Sequence, residues 1–596
     1  MAFFTPSSSP AVVTREIDLT GIVPNVATST GAYVGDFRWG PVEKPTFVDN
    51  ESTLVGIFAA PDKNNSVSFH SAAYFTKYSS EMLIIREVDS NAVNAFDNDN
   101  GSGDSFYADR SPTLIKNDDH FETIKSALAT NNHGFIAKYA GDLGNSLQIQ
   151  LCPASTADSA YNNWSLKNEF TSAPGTSASI SAITGNAAAD DEVHVAIVDA
   201  DGLFSGTKGT VLESFPFMST ATNAKNPDGS TNYMADVLNN QSNYVWLVDA
   251  ANIDSDYGAA NAGTAATDAS NFGQTIDDVK TINLNAGLNS TALGTADIAS
   301  GFDTIEDVDA YQVDFLISPP VSSGSGQATD DAAARTIIND LISIAAVTRK
   351  DCVVVASPPK ADLTAVDPVT ETIEFANTLT QSNYCFLDNN WLKVFDKYND
   401  QYIYIPANSS TAGLMAQTDF TNAPWFSPAG LTRGLYFGVT DLLHSPNKAE
   451  RDRLYRASVN PITNLPGNGI TLFGDKTMQD RPSAFDRINV RRLFLTLERA
   501  ISEAAKSVLF EFNDEFTRAS FVNIVEPFLR EVKGRRGITD FRVVCDETNN
   551  TPEIIDRNEF IATIFIKPAR SINFVTLNFV ATRTGVDFEE VVGLSF

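Results

Sequence analysis

Few residues have the type and spacing that chemistry would require. Gly469-Ile-Thr-Leu-Phe-Gly474-Asp475-Lys476-Thr477 approaches the phosphate-binding pattern G-x-x-x-x-G-K-[ST], in which backbone N–H groups cradle phosphate and the lysine reaches it. Here Asp475 intervenes between the second glycine and the lysine, which puts a carboxylate where phosphate would lie, and residues 470–473 read as a strand ending in a turn. The run from Asp97 to Asp104 (DNDNGSGD) has the acidic look of a calcium loop. Its fifth position is Gly101 instead of an oxygen ligand, and its twelfth is Ala108 instead of glutamate, so an acidic loop is expected. Asp199-Ala-Asp201-Gly202 reads as a turn. The histidines His70, His120, His133, His194 and His444 form no HExxH and no close pair, and G-x-S-x-G is absent. Ser318-Pro-Pro and Ser357-Pro-Pro follow strands, where α/β folds usually take ligands, but paired prolines supply no amide donors. Cys152, Cys352, Cys385 and Cys545 are far apart and are expected as small buried hydrophobes. No catalytic, cofactor or metal site is expected, and no enzyme.

The elements that would position such residues fall into contrasting stretches. Residues 6–10 are Pro/Ser-rich, and 11–19 (AVVTREIDL) read as an extended strand with no earlier partner. A strand at 32–37, a helix at about 67–78 and a strand at 82–88 give an α/β run. The rhythm resumes with a strand at 311–318, a helix at 331–349 carrying Ile337, Leu341, Ile344 and Ala345 on one face, and an apolar strand at 352–356. That is a right-handed parallel β-α-β unit. Between the two blocks, residues 226–334 hold one basic residue, Lys280, against 16 Asp+Glu, a composition suited to solvated surface.

The last quarter differs. Ile488, Val490, Leu493, Leu497, Ile501, Ala504, Val508 and Phe512 recur at helical spacing and predict one long helix over 486–512. A second helical stretch, 515–532, is interrupted by Pro527, and strands are expected at 541–545, 560–566 and 573–582. The closing apolar segment 588–596 has no local partner. Both termini therefore read as unpaired strands, a hazard unless another chain completes them.

With 596 residues, 43% hydrophobic and only 19% charged, the chain is globular and multidomain. Its net charge of −32 disfavours nucleic acid and anionic membrane as partners. No run reaches the ~18 apolar residues of a membrane span, and MAFFTPSSSP lacks a signal-peptide pattern, so a cytoplasmic chain is expected. The expected fold is α+β multidomain. It comprises an N-terminal extended arm (1–19), an α/β core (20–88 plus 305–470), two inserted β-rich outer domains (89–190 and 191–304) and a C-terminal α+β assembly domain with a terminal arm (471–596).

Several stretches resemble the contractile tail sheath proteins of bacteriophages, particularly the large myovirus-type sheaths. They are SSSPAVVTREIDLTGIVP near the start, Gly31-Ala-Tyr-Val-Gly-Asp-Phe-Arg-Trp-Gly-Pro41, VDADGLFSGTKGTVLESF (198–215) and DGSTNYMADVLNNQSNYVW (228–246). PWFSPAGLTRG (424–434), VNPITNLPGNGITLFGDKT (459–477) and INVRRLFLTLERAISEAAKSVLFEFND (488–514) complete the set.

The resemblance implies a virion structural protein of the phage tail, assembled in the host cytoplasm. Such subunits stack as hexameric rings around an inner tail tube, meet baseplate and tail terminator proteins at the ends, and contract to drive the tube through the host envelope. It also implies arms exchanged between subunits, carried here by Val12, Val13, Arg15 and Ile17 and by Phe588, Val591 and Val592. It places the C-terminal domain beside the tube. Residues 481–536 carry 11 Lys+Arg against 8 Asp+Glu, a local positive excess. Arg491, Arg492 and Arg499 read either as the solvated side of an amphipathic helix or as part of that tube-facing charge, and Lys533, Arg535 and Arg536 as a basic loop facing the tube. The rival from another class is a monomeric carbohydrate-binding or adhesin-like module with no contractile role.

Overall fold

The computed structural model describes residues 29–97, 110–131, 133–185, 190–249, 279–321 and 327–572. The expected arms at 1–19 and 588–596, the strand at 573–582 and most of the acidic loop at 97–108 lie outside them. Residues 25–500 form one compact unit, and the described residues from 501 onward belong to a second.

In the first unit, β1 (Gly31–Gly35), β2 (Thr46–Val48) and β3 (Met82–Arg86) come first. Next are β4 (Asn94–Phe96), β5 (Phe135–Ala140), β6 (Leu147–Pro153), β7 (Glu192–Asp199), β8 (Thr210–Ser219), β9 (Val245–Leu247) and β10 (Lys280–Asn283). β11 (Phe315–Ile317), β12 (Val353–Ala356) and β13 (Cys385–Leu387) follow. Then come β14 (Trp391–Asp396), β15 (Gln401–Pro406), β16 (Asp441–Leu442), β17 (Ile462–Leu465) and β18 (Gly469–Leu472).

The central sheet has the order β13-β12-β11-β1-β3-β2, parallel throughout except for β2. Its parallel strands are apolar runs, such as MLIIR and VVVA, buried at every position. A strand covered on both faces needs no polar side. Successive side chains divide between two cores, as strand geometry requires. Tyr33, Ile84, Phe315, Val353 and Phe386 meet the helices Ser66–Thr76 and Asn408–Thr421 on one face. Ala32, Ile85, Leu316, Val354 and Cys385 meet Thr295–Asp303, Gln327–Ser343 and Pro368–Thr378 on the other. The strand–helix–strand unit predicted across 311–356 is present, with its helix closing in a π turn at Ile344–Arg349.

Between β3 and β11 the chain leaves this sheet to build two antiparallel ones, β10-β6-β7-β8 and β4-β5-β9. The segments 89–190 and 191–304, expected as separate domains, interleave instead. β6 pairs with β7 and β5 with β9 across the expected boundary, and one core holds Phe135, Ile149, Val195, Met234 and Leu247. Alternation within each segment could not reveal this, because a half-buried strand does not name its partner.

Arg86, at the end of β3, joins the central sheet to this body. It is 1% exposed and donates to the carbonyls of Phe37 (2.7 Å), Gly40 (2.8 Å) and Ala140 (2.7 Å). Burial draws its guanidinium down to about 10 and Asp36, nearby in charge, up to about 7. Asp199, at the predicted turn, accepts from the backbone N–H groups of Leu203, Phe204 and Ser205 and from Ser146 Oγ.

From residue 486 onward, two expectations change. The helix Ile488–Ala505 stops short of 512, followed by a 3₁₀ turn at Lys506–Val508. Phe510, at φ 69, and Phe512 are exposed, so the apolar stripe outlasts the surface that would cover it. Glu515–Gly534, in contrast, runs unbroken through Pro527. The proline removes one internal hydrogen bond, while Phe521, Val525, Leu529 and Val532 on a single buried stripe hold the helix together. This helix packs against β19 (Ile538–Val544), which pairs antiparallel with β20 (Thr563–Pro568).

Two outcomes follow from these contacts. Arg86→Ala leaves three carbonyls without a donor and costs about 3 kcal/mol or more, read as a lower urea midpoint. Arg38→Ala, which breaks a partly exposed 3.5 Å pair with Asp142, costs under about 1 kcal/mol. His194, fully buried, stacks on Phe170 at 4.5 Å, accepts from Phe217 N–H at Nδ1 (3.0 Å), and so donates from Nε2 to Ser172 O (2.8 Å). Burial holds its folded pKa below the ordinary 6.5. Below that pH the unfolded chain binds a proton that the folded chain refuses, so this stability is present above pH 6.5 and is lost as pH falls. Melting temperature therefore declines on acidification through that range, and His194→Gln flattens the slope.

Candidate assembly interface

The phosphate-loop pattern is spent inside the fold. β18 pairs antiparallel with β17, and beyond it Asp475 binds Arg487 at 3.0 Å and accepts from Ser427 Oγ at 3.1 Å. Lys476 Nζ donates to Tyr455 O at 2.6 Å, and a side chain at Gly474 would meet Asn460 at 2.7 Å. The expected strand ending in a turn is what forms.

At the carboxyl ends of β11 and β12, Ser318, Ser357 and Asn408 border a cavity of about 20 Å³. That is roughly the room of one water molecule. Its polar groups already serve one another. Ser357 Oγ donates to Asp388 at 2.8 Å and accepts from Asn408 N–H at 3.0 Å, and Asn408 Nδ2 reaches Ser318 O at 2.6 Å. Burial pushes Asp388 up to about 7. Asn389 and Asn390 continue the network, accepting from the backbone of Ile462 (2.7 Å) and Trp391 (2.9 Å). Among the described residues, no cluster of three or more His, Cys, Asp or Glu could hold a metal, and no helix is long and apolar enough to cross a membrane. Cys152, Cys352 and Cys385 are buried as expected, whereas Cys545 is half-buried.

The basic helix reads differently in three dimensions. Arg491 and Arg492, expected on a solvated face, are 5% and 4% exposed. Arg491 lies over Tyr384 at 4.3 Å and reaches Glu498 at 3.4 Å. Arg492 pairs with Asp419 and donates to Met415 O at 3.2 Å. Arg499 pairs with Asp314 and donates to Asp351 O at 3.1 Å, while Asp314 accepts from Thr30 N–H at 3.1 Å. The amino ends of β1, β11 and β12 are thereby tied to one helix. Arg492 and Arg499 stand seven residues apart, two turns of helix, alongside Leu495; that spacing on an otherwise apolar face was the sequence signal for internal arginines.

In the C-terminal unit, Lys533 and Gly534 form the end of the helix instead of a loop, and only Arg535 and Arg536 lie beyond it. Lys533 pairs with Asp540 at 3.1 Å, and Arg535 with Glu531 at 3.6 Å. The Lys533 ammonium holds the Asp540 carboxyl below its usual range. Arg536, at φ 67, is exposed. The three proposed basic residues are thus together on the surface, with two of them in exposed pairs. Asn550, 2% exposed and not anticipated from sequence, exchanges two 2.9 Å hydrogen bonds with the Ile561 backbone and fixes the approach to β20. Among the described residues, β19 and β20 pair only with each other. Val12, Val13, Arg15, Ile17, Phe588, Val591 and Val592, expected to bridge subunits, lie outside the described residues.

The first unit is thus a mixed α/β body in which Arg86, Arg349, Arg492 and Arg499 are engaged in internal links. Residues 291–478 match the phage tail sheath protein central domain, and 480–582 the phage tail sheath C-terminal domain. The tail sheath protein of Vibrio phage KVP40 is 31% identical, covering 98% of this chain and 99% of the relative. That of Enterobacteria phage T4 is 32% identical over 98% and 99%. The crystal structure of a Listeria innocua sheath tail protein superposes over 93% of this chain and 94% of its own with a TM-score of 0.52 at 12% identity, a likeness of fold. The chain belongs to the phage tail sheath protein family, the virion structural proteins of contractile tails.

The internal role of Arg492 is directly measurable. Arg492→Leu strands the 6% exposed carboxylate of Asp419 and costs about 3–5 kcal/mol in urea unfolding. Arg530→Leu, which removes an exposed 2.7 Å pair with Glu526, costs no more than about 1 kcal/mol.

Proposed function

We propose that this chain polymerises as stacked hexameric rings around an inner tail tube, and that contraction of the assembled sheath drives the tube through the host envelope for genome delivery. The observation that carries this reading is 31–32% identity to tail sheath proteins over 98% of the chain. Its role is mechanical and not enzymatic. The partners are other copies of the chain, the inner tail tube protein, and the baseplate and tail terminator proteins at the ends. Its place is the phage tail, after assembly in the host cytoplasm. The extended sheath is a kinetically trapped state; energy stored in subunit contacts is released through rigid-body rotation of domains, without nucleotide hydrolysis.

Two surfaces serve this assembly. The arms holding Val12, Val13, Arg15 and Ile17, and Phe588, Val591 and Val592, add strands across subunit boundaries, satisfying their own backbone groups. Lys533, Arg535 and Arg536 meet acidic groups on the tube, through exposed contacts of about 0.2–1 kcal/mol each that hold register yet release on contraction.

Purified full-length chain forms polymers visible by electron microscopy; a chain that stays monomeric under all conditions is a binding module and refutes the proposal. Removing residues 1–19 leaves a folded monomer that no longer assembles. Changing Lys533, Arg535 and Arg536 together to Glu preserves folding and tube-free polymers but impairs coating of tubes. Normal coating by that variant at low salt removes the loop from the tube contact.

A further inference from the structure

The hairpin that follows the central sheet turns an aromatic face to solvent. In the β14–β15 pairing, Lys393 stands opposite Tyr404 and Phe395 opposite Tyr402. Phe395 and Tyr402 are 46% and 57% exposed, with rings 5.3 Å apart. Lys393 Nζ lies 5.4 Å from the Tyr402 ring, and Lys360 Nζ lies 5.5 Å from the Tyr404 ring. On the other side of Lys393, across β16, stands Asp441. Two lysines, one over the exposed Tyr402 ring and one over the half-buried Tyr404 ring, form a cationic and apolar platform in a chain whose net charge is −32. Exposed aromatic rings beside cations are the composition of a contact patch, not of ordinary solvated strand.

The complementary surface is on the same chain. Just ahead of β11, Glu306-Asp307-Val308-Asp309 carries three carboxylates around Val308, itself 44% exposed. This loop is held rigid from below. Arg349, 5% exposed, donates to the carbonyl of Ile305 and to those of Asp307 (3.4 Å) and Tyr311 (2.8 Å). The loop is therefore preorganised, which lowers the ordering cost of binding. The acidic loop precedes a strand of the parallel sheet, at its amino edge. Lys360 and Trp391 follow β12 and β13, at its carboxyl edge, where Trp391 Nε1 donates to Pro358 O at 2.9 Å. The two surfaces thus lie at opposite ends of the central sheet and cannot meet within one subunit.

We propose that the acidic loop 306–309 of one copy docks on the Lys360/Lys393 aromatic platform of a second copy. Because the two surfaces differ, the contact is heterologous and head-to-tail, the kind that propagates into rings or helices instead of closing a twofold dimer. It rests on the self-assembly reading above and adds a specific core-to-core contact, independent of arms and tube.

The test uses full-length chain, with polymer yield read by sedimentation and electron microscopy. Lys360→Glu with Lys393→Glu, and separately Asp307→Lys with Asp309→Lys, each raise the concentration needed for polymerisation by about ten-fold, with unchanged melting temperature. All four substitutions in one chain restore polymerisation, because the charges are exchanged and complementary again. Phe395→Ser with Tyr402→Ser weakens polymerisation without altering its salt dependence. If wild type polymerises and both charge-reversed pairs polymerise equally well, the contact is wrong while the assembly reading stands. If each pair is defective and the four-fold variant stays defective, the platform meets another acidic surface, and the proposed pairing is overturned. If wild type itself does not polymerise, both readings fall together.

Discussion

The guanidinium of Arg86 is the point through which the first unit holds together. It sits at the end of a wholly buried strand and donates to carbonyls contributed by residues 37, 40 and 140. A charge taken out of water is costly unless it is hydrogen-bonded, and here each of the three guanidinium nitrogens has a carbonyl within 2.8 Å. Once placed, the group fixes where the chain leaves the central sheet and where the β5 strand of the inserted body ends. A lysine could not span the same three acceptors, because only the planar fork points donors in fixed directions.

The same device recurs at the other end of the central sheet. Arg499 takes the Asp314 carboxylate and the Asp351 carbonyl at the amino ends of β11 and β12, Arg492 takes Asp419 and the Met415 carbonyl of the helix Asn408–Thr421, and Arg349 braces the loop before β11. Within residues 25–500, buried arginines join elements that apolar packing alone would leave free to slide. Such links suit a subunit that has to carry force. Hydrophobic contact is roughly proportional to area and has no direction, whereas bidentate and carbonyl-bound guanidinium groups have both distance and angle.

The C-terminal unit has the opposite economy. Its described strands form a two-stranded pair, and charged residues such as Lys533–Asp540 and Arg530–Glu526 pair at the surface, with Arg518 buried. An isolated hairpin is marginal without further strands or a packed helix; the helix Glu515–Gly534 supplies part of that support.

The sequence by itself determined the central sheet and the absence of recognised catalytic motifs. Runs such as MLIIR and VVVA bury on both faces whatever surrounds them, and a carboxylate inserted into a phosphate loop disqualifies it wherever it lies. The order of motifs, from the glycine-rich opening to INVRRLFLTLERA, also sufficed to place the chain in its family. Tertiary structure alone decided which strands of 89–304 share a sheet, because alternation marks a buried face without naming the neighbour. It decided that Arg491 and Arg492 are buried and Arg499 half-buried: the seven-residue spacing of Arg492 and Arg499 beside Leu495 marks a shared helix face, and the placement of Asp419, Asp314 and Asp351 makes that face an internal one. It also decided that Pro527 bends to the helix around it while the apolar stripe after Ala504 does not stay helical. A helix persists where its stripe is covered, and covering is a property of the whole fold.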